Sequence, residues 1–446
     1  MPGSILHAWT RLVRAAPGAT ALIDTRTGRK WSRRDLDEIA QAWAPAPDQP
    51  LDGRLVLFAE PNGADWLRVF LGLLRAGAIA AALDPGEPAA WQAATARKLG
   101  ASHLWTAGRL ERIDGRRARW SDGRRLVKIT SGSSGEPRGL PFTEAQMLAD
   151  GRQICASMGI GPNDVNLGLV PFGHSYGLGN LVIPLVSQGT AVVCPAGALP
   201  HALAEAAERW RPTVFPAVPA VLRAMVEVGI DPAAIRSLRT VISAGSPLAP
   251  ELARAYQAKF GVKIHNFYGS SETGGIAFDR TGEATLDGRG LGAPLRGVRL
   301  AYGARGRFTV TSPAVFTLGN RRGNSSPGTH SPADLARPGA GGILKLLGRA
   351  GRALKVGGHR LNPAEIEREI RLLPGVVDAL VVPHPGRPDV LAAAVAGPTT
   401  AASVRDALAA RLASWKVPRK FLLLPEFPLT GRGKPDRRRL RELLGG

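Results

Sequence analysis

Residues 129–143 read ITSGSSGEPRGLPFT and follow directly on an apolar stretch with strand character. A strand that ends in Thr, Ser and Gly can turn sharply, bring consecutive backbone N–H groups to one point and add hydroxyl donors. That arrangement is an anion nest suited to phosphate. Glycine is required at the point of closest approach because a side chain would block it. A hairpin turn has the same composition, so the loop by itself leaves two readings open. It is not the common phosphate loop, because G-x-x-x-x-G-K-[ST] cannot be laid on it.

Outward from this loop, strand and helix patterns alternate through the first two thirds of the chain, which predicts α/β layers. LVLFA at 55–59 suits a buried strand. After it, Trp66, Val69, Phe70, Leu73 and Leu74 recur at helical spacing, so one apolar face should pack on that sheet. Over 301–342 the text becomes turn-rich, GNRRGNSSPGTHSPADLARPGAGG, with short strands at most. A domain border is expected just beyond it, giving domains at 1–348 and 349–446. In the second, Asn362 can cap a helix opened by Pro363, Glu365 sits where a capping-box acid belongs, and Ile366, Ile370 and Leu373 line one face. VVDALVV (376–382) and VLAAAVA (390–396) read as strands, and VRDALAARLA as a helix after them. The chain has 446 residues, beyond the roughly 250–300 at which a single core stops growing, so more than one domain is required.

The formal net charge of +22 admits nucleic acid, an anionic membrane surface, or acidic and phosphorylated partners. The arginines are scattered and no basic stretch carries interleaved aromatics, so nucleic acid is not the expected partner, while peripheral membrane contact stays open. The densest basic block, RLERIDGRRARWSDGRRLVK at 109–128, reads as a solvated connector. Cys155 and Cys194 have neither disulfide-framework nor zinc spacing, which favours a reducing, cytoplasmic home. The start meets Arg11 and Arg14 before any long apolar run, unlike a signal peptide, and the most apolar segment is broken by Arg68 and Arg75, so no transmembrane segment is expected.

TSGSSGEPRG resembles the phosphate loop of the adenylate-forming superfamily, which holds acyl-CoA synthetases, aryl-CoA ligases, luciferases and the adenylation domains of peptide synthetases. Further segments resemble that family in family order across nearly the whole chain. PFGHSYGLGN (171–180) is similar to its acyl-pocket mouth, SAGSPLAPEL (243–252) to its adenine-edge segment, and NFYGSSETGG (266–275) to its second nucleotide signature. SPADLAR (331–337) matches the segment whose aspartate binds ribose, GRAGRALKVGGHRLNPAEIE (348–367) the interdomain hinge region, and PLTGRGKPDRRRL (428–440) the loop with the catalytic lysine. The resemblance implies a large N-terminal domain of α/β subdomains with a small distorted β-barrel, and a small mobile C-terminal α/β lid. It implies attack of a carboxylate on the α-phosphorus of ATP, then transfer of the acyl group to a thiol.

By the same resemblance, Thr130, Ser131, Gly132, Ser133, Ser134 and Gly135 would wrap the β- and γ-phosphates, with Arg138 supplying charge. The family's commonest text has lysines where Glu136 and Arg138 stand; Arg138 keeps the charge and can grip two oxygens. Ser246 belongs to the adenine-edge segment. Asn266 would meet the adenine edge, Tyr268 stack on the base, Ser271 donate to the α-phosphate and Glu272 bind Mg²⁺, a hard ion that prefers oxygen. Asp334 and Arg349 would hold ribose. Lys434 would bridge the carboxylate and the α-phosphate, where one charge at about 4 Å and an effective dielectric near 20 is worth about 4 kcal/mol. Lys355 and Gly358 would serve the thioester step after the lid swings about Gly351. His174, Tyr176 and Gly177 lie where the family has pocket or gate residues. No aspartate in PFGHSYG awaits a substrate ammonium, whose unpaired burial would cost several kcal/mol, so a fatty or aromatic carboxylic acid is favoured. The text after Lys434 holds no carrier domain, so the expected acceptor is CoA or the phosphopantetheine of a separate acyl carrier protein. Two alternatives remain at this point: a ligase specific for a carrier protein, and a catalytically degenerate nucleotide-binding relative.

Overall fold

A computed structural model describes residues 3–45, 50–115, 123–131, 137–317, 328–349, 354–356, 359–361, 363–412, 414–430 and 435–445. Contacts divide the chain into two compact units. One comprises Met1–Ala301, Thr309–His330 and Gly339–Leu344, and the other Tyr302–Phe308, Ser331–Pro338 and Lys345–Gly446.

Among the described residues the two largest sheets of the first unit have nine and six strands. In the larger, strands Ile264–Ser270, Thr240–Ser243, Val214–Ala217, Val165–Leu167, Ala191–Cys194 and Thr20–Asp24 lie side by side in that order, all parallel. Antiparallel partners close both edges, Gly274–Phe278 and Ala293–Pro294 at one and Arg29–Ser32 at the other. The inner strands are short and buried on both faces, as parallel strands covered on both sides must be. The smaller sheet has the order Arg109–Arg112, His103–Thr106, Leu55–Ala59, Ile79–Leu83, Arg124–Ser131, Pro137–Thr143.

Leu55–Ala59 forms the strand its composition predicts, buried at all five positions. The helix after it runs Ala64–Arg75 and buries the expected face, together with Leu67, Leu71 and Gly72 on the opposite side. The second face is covered by Trp43: a Cβ added at Gly72 would lie 2.5 Å from the Trp43 ring. The described parts of the basic block at 109–128 depart from a solvated connector at its C-terminal end, and residues 116–122 lie outside the described residues. The block contributes strands Arg109–Arg112 and Arg124–Ser131, and Arg124 and Lys128 are buried. The Arg124 guanidinium reaches the Thr317 carbonyl at 2.8 Å and Gln146 Oε1 at 3.2 Å, so backbone and amide oxygens replace the water it gives up.

In the second unit, Asp378–His384, Arg387–Ala396 and Lys420–Leu424 form one sheet. Its alternation separates two cores. Ala379, Val381, Leu391, Ala393 and Val395 meet Ile366, Ile370, Val404 and Leu408, which come from helices Pro363–Arg371 and Ala401–Ala409. Leu380, Val382, Ala392 and Ala394 face the other way, onto Leu440 and Leu444 of Arg437–Gly445. The period of two does this without further information. The helix opens at Pro363 as expected; Asn362 lies outside the described residues. Among its described residues the turn-rich stretch carries the short strands Phe308–Ser312, Gly328–His330 and Asp334–Pro338, the end of Arg299–Tyr302 and the 3-10 turns Ala304–Gly306 and Ala340–Gly342. Among the described residues no helix is long and apolar enough to cross a membrane.

Leu440 is fully buried, so Leu440→Ala should cost about 2–5 kcal/mol through lost transfer energy and a residual cavity. Hydrogen exchange should then quicken in Asp378–His384 and Arg387–Ala396 while Val214–Ala217 and Thr240–Ser243 keep their protection. Equal loosening of both sheets would show that the two units do not open separately.

Candidate active site

In the larger sheet the chain leaves Val165–Leu167 for the neighbour on one side, Ala191–Cys194, and later returns to the neighbour on the other, Val214–Ala217. Strand order therefore reverses at Val165–Leu167. In open α/β sheets a crevice forms at such a point, outside the carboxyl ends of the strands, and ligands bind there. Three of the singled-out segments leave carboxyl ends on this edge: 168–180 after Val165–Leu167, 244–250 after Thr240–Ser243, and 271–273 after Ile264–Ser270.

Segment 168–180 is clamped by a residue the motif does not contain. Asn62, just after Leu55–Ala59, donates from Nδ2 to the carbonyls of Gly168 (3.0 Å) and Val170 (2.9 Å), and its Oδ1 accepts from Phe172 N at 2.7 Å. Gly177 permits the tight turn that follows, since a Cβ there would fall 2.0 Å from the Pro171 carbonyl oxygen. His174 Nδ1 accepts from Tyr176 N at 3.3 Å and caps the short helix Ser175–Gly177. Tyr176 is buried, donates to the Ile242 carbonyl at 3.3 Å, and packs its ring 5.8 Å from Phe267. Burial drives its phenol strongly upward, so it stays protonated.

The turn bearing Ser271 and Glu272 joins Ile264–Ser270 to Gly274–Phe278. Ser175 Oγ donates to Ser271 Oγ at 2.8 Å, linking the two segments. Phe316 N donates to the Glu272 carbonyl at 2.7 Å, and Gly275 N to Asp150 Oδ1 at 2.9 Å. Asp150 in turn lies 3.9 Å from Lys128 Nζ, with both side chains nearly inaccessible. Burial pulls the Lys128 ammonium down and pushes the Asp150 carboxyl up; each is opposed first by the other's charge, and Lys128 also by that of Glu272. Glu272 is half-buried, and no group of three or more His, Cys, Asp or Glu that could hold a metal occurs among the described residues. One carboxylate of this kind fits an octahedral hard ion that takes its other ligands from phosphates and water.

Elsewhere in this unit, Ser246 is exposed beside Gly245, whose φ of +87° suits glycine. Asn266 pairs with Ser243 across the parallel strands; its N–H donates to Thr285 Oγ1 at 3.0 Å and its Nδ2 to the Gly290 carbonyl at 3.5 Å. Tyr268 is half-buried. Thr130 and Arg138 are cross-strand partners in the antiparallel pair Arg124–Ser131 and Pro137–Thr143, and Arg138 is exposed. Gly132, Ser133, Ser134, Gly135 and Glu136 lie between these strands, outside the described residues. In the second unit, Asp334 opens strand Asp334–Pro338 and Arg349 ends Leu344–Arg349, its pairing partner. Lys355 sits in Leu354–Val356, paired with His359–Leu361. Gly351, Gly358 and Lys434 lie outside the described residues. Asn62, Asp150 and Lys128 escape motif reasoning, because each meets the site across a long stretch of chain; a polar residue among apolar neighbours was the local sign of Lys128, and Asn62 in EPNGAD reads as an ordinary turn residue.

Asn62→Ala removes all three hydrogen bonds to 168–172 at once. It should cost on the order of 2–3 kcal/mol, since the groups left behind are partly buried, and hydrogen exchange should quicken at 168–176. Unchanged exchange there would mean that the turn holds its shape without the clamp.

The family model of AMP-binding enzymes matches residues 125–302, and that of the AMP-binding enzyme C-terminal domain matches 365–434. The phenyloxazoline synthase MbtB of Mycobacterium tuberculosis is 28% identical over 356 residues, covering 71% of this chain but only 24% of that protein. A feruloyl-CoA synthase of Amycolatopsis is 28% identical over 346 residues, covering 72% of this chain and 70% of its own. The chain thus spans about a quarter of the first of these relatives. Among solved structures, that of ATP-bound MatB from Rhodopseudomonas palustris superposes with a TM-score of 0.82 at 20% identity, covering 99% of both chains. With the segment order, the sheet topology and both family models in agreement, the chain belongs to the adenylate-forming superfamily of AMP-binding enzymes.

Proposed function

We propose that this protein is an ATP-dependent carboxylate-activating ligase. A carboxylate oxygen attacks the α-phosphorus of ATP, pyrophosphate leaves, and an acyl-adenylate forms. The sulfur of CoA or of a carrier-protein phosphopantetheine then attacks the acyl carbon, AMP leaves, and a thioester results. The observation that carries this reading is the hydrogen bond from Ser175 to Ser271. It joins the acyl-side segment to the nucleotide-side segment at the crevice where the sheet reverses, so one site can hold both reactants.

Two anions must meet at phosphorus, so the residues' task is to supply fixed positive charge and dipoles where charge develops. Lys434 neutralises the approaching carboxylate and the α-phosphate. Arg138 and the Thr130–Gly135 amides and hydroxyls hold the β- and γ-phosphates. Mg²⁺, when bound through Glu272, neutralises phosphate charge. Asn266, Tyr268 and Ser246 receive the base, and Asp334 and Arg349 the ribose. We assign 1–348 and 349–446 as the two functional domains, the second turning about Gly351 to bring Lys355 and Gly358 in for thioester formation; glycine absorbs such a rotation at low cost.

A fatty or aromatic acid is favoured, because 171–177 contains no carboxylate to pair with a substrate ammonium. The name of the feruloyl-CoA synthase relative supports the aromatic branch. A reducing cytoplasm suits the two buried free cysteines. The high positive charge suits polyanionic CoA and an acidic carrier protein alike. Steep loss of thioester formation with added salt, at unchanged adenylation, would favour the carrier.

Lys434→Ala should slow adenylate formation on the order of a thousandfold, the equivalent of about 4 kcal/mol, yet spare thioester formation from presupplied acyl-adenylate. Equal loss in both half-reactions overturns the assignment of Lys434. ATP–pyrophosphate exchange should respond to fatty or aryl acids; exchange with amino acids alone overturns the substrate class.

A further inference from the structure

We propose that the buried Lys128–Asp150 pair is a positioning device for the turn that presents Glu272, so that its geometry, and not only its presence, limits adenylation. The inference rests on the role given to Glu272 above.

Lys128 points inward from Arg124–Ser131 and Asp150 from the middle of helix Glu144–Met158, with side chains 3% and 2% exposed. Taking two charges out of water is costly even when they pair, and the neighbouring positions of this hairpin, Leu126, Leu140 and Phe142, are apolar and buried. Packing alone would therefore be better served by aliphatic side chains. The carboxylate does something that they cannot. Its Oδ1 accepts the Gly275 N–H at 2.9 Å, a charge-assisted bond stronger and more directional than a neutral one.

The surroundings are shaped to that carboxylate. A Cβ on Gly274, whose φ is +70°, would lie 2.3 Å from Oδ1 and 2.8 Å from Oδ2, and one on Gly179 would lie 3.1 Å from Oδ2. Asp150 thus fills the space left by two glycines, one two residues beyond Glu272 and the other in the acyl-side segment. On the far side of the turn, Phe316 holds the Glu272 carbonyl and Ser175 holds Ser271. Glu272 is suspended between these anchors, and Asp150 is the one that carries charge. Lys128 supplies its countercharge, with the ammonium 4.5 Å from the Phe142 ring centre. Side chains this inaccessible are out of reach of reactants, so both residues act through the turn.

The test uses the full chain with Lys128→Met, Asp150→Asn and the double variant. Asparagine keeps an acceptor for Gly275 but strands the ammonium, methionine strands the carboxylate, and the double variant removes both charges while keeping the shape. Each single change should lower kcat for ATP–pyrophosphate exchange on the order of 10- to 100-fold, raise the Mg²⁺ concentration needed for half-maximal rate, and quicken hydrogen exchange over 268–278. The double variant keeps a neutral acceptor for Gly275 but not the charge-assisted bond, so it should recover part of all three, a coupling that independent sites would not give. Lowered melting temperature with unchanged kcat and Mg²⁺ dependence would overturn the proposal, and so would a double variant no better than the worse single. Should the singles fail to fold, Gly179→Ala presses on Asp150 with both charges in place and should move the same readouts partway; no movement overturns the proposal. If the unaltered protein exchanges pyrophosphate with no acid, the proposed function falls, while unchanged hydrogen exchange over 268–278 in the variants is what defeats the positioning role.

Discussion

Parallel strands deliver all their returning loops to one edge of a sheet, and in this chain the order of the strands reverses at Val165–Leu167. Covering helices on both faces must part where the connections diverge, which leaves a crevice that no side chain needs to fill. The segments that follow Val165–Leu167, Thr240–Ser243 and Ile264–Ser270 all arrive there. What each segment can do chemically is written in its own residues. That they can act on one another follows from the connectivity of the sheet.

Loops at such an edge carry unpaired backbone groups and would move freely unless something satisfies them. Here the holding groups are side chains from elsewhere in the first unit. Asn62 supplies donors and an acceptor to 168–172, much as a strand would. Asp150 anchors the end of the Ser271–Glu272 turn and Ser175 its beginning. Glycines at 179 and 274 leave room for the Asp150 carboxylate, which a Cβ at either would crowd, and Gly177 leaves room for the Pro171 carbonyl. The site is rigid where polar groups from distant segments converge.

The large positive charge divides in the same way. Part of it is interior: Arg33 reaches the carbonyls of Leu12 and Gly189, Arg124 that of Thr317, and Lys128 faces Asp150. A buried cation that caps carbonyl oxygens holds the fold together and is not offered to a partner. The charge relevant to anionic ligands is therefore the exposed remainder, to which Arg138 beside the glycine-rich loop belongs.

Periodicity carried the elements a long way. Leu55–Ala59, the apolar face of Ala64–Arg75, and the helix and alternating strands of the second unit are legible because a single segment with its own repeat decides them. The site segments are legible for a related reason, as each is a short run with unusual glycine, hydroxyl and acid content. Asn62, Lys128 and Asp150 are not legible, and the basic block misled because charge density says nothing about which arginine points inward. Their contacts span 106 to 125 residues of chain in the cases of Asn62 and Asp150, and Lys128 meets Asp150 only after two elements pack. Local composition and repeat are properties of a segment by itself. A polar contact between distant segments exists only once the order of strands has made them neighbours, so the chemistry was readable along the chain and its geometry belonged to the fold.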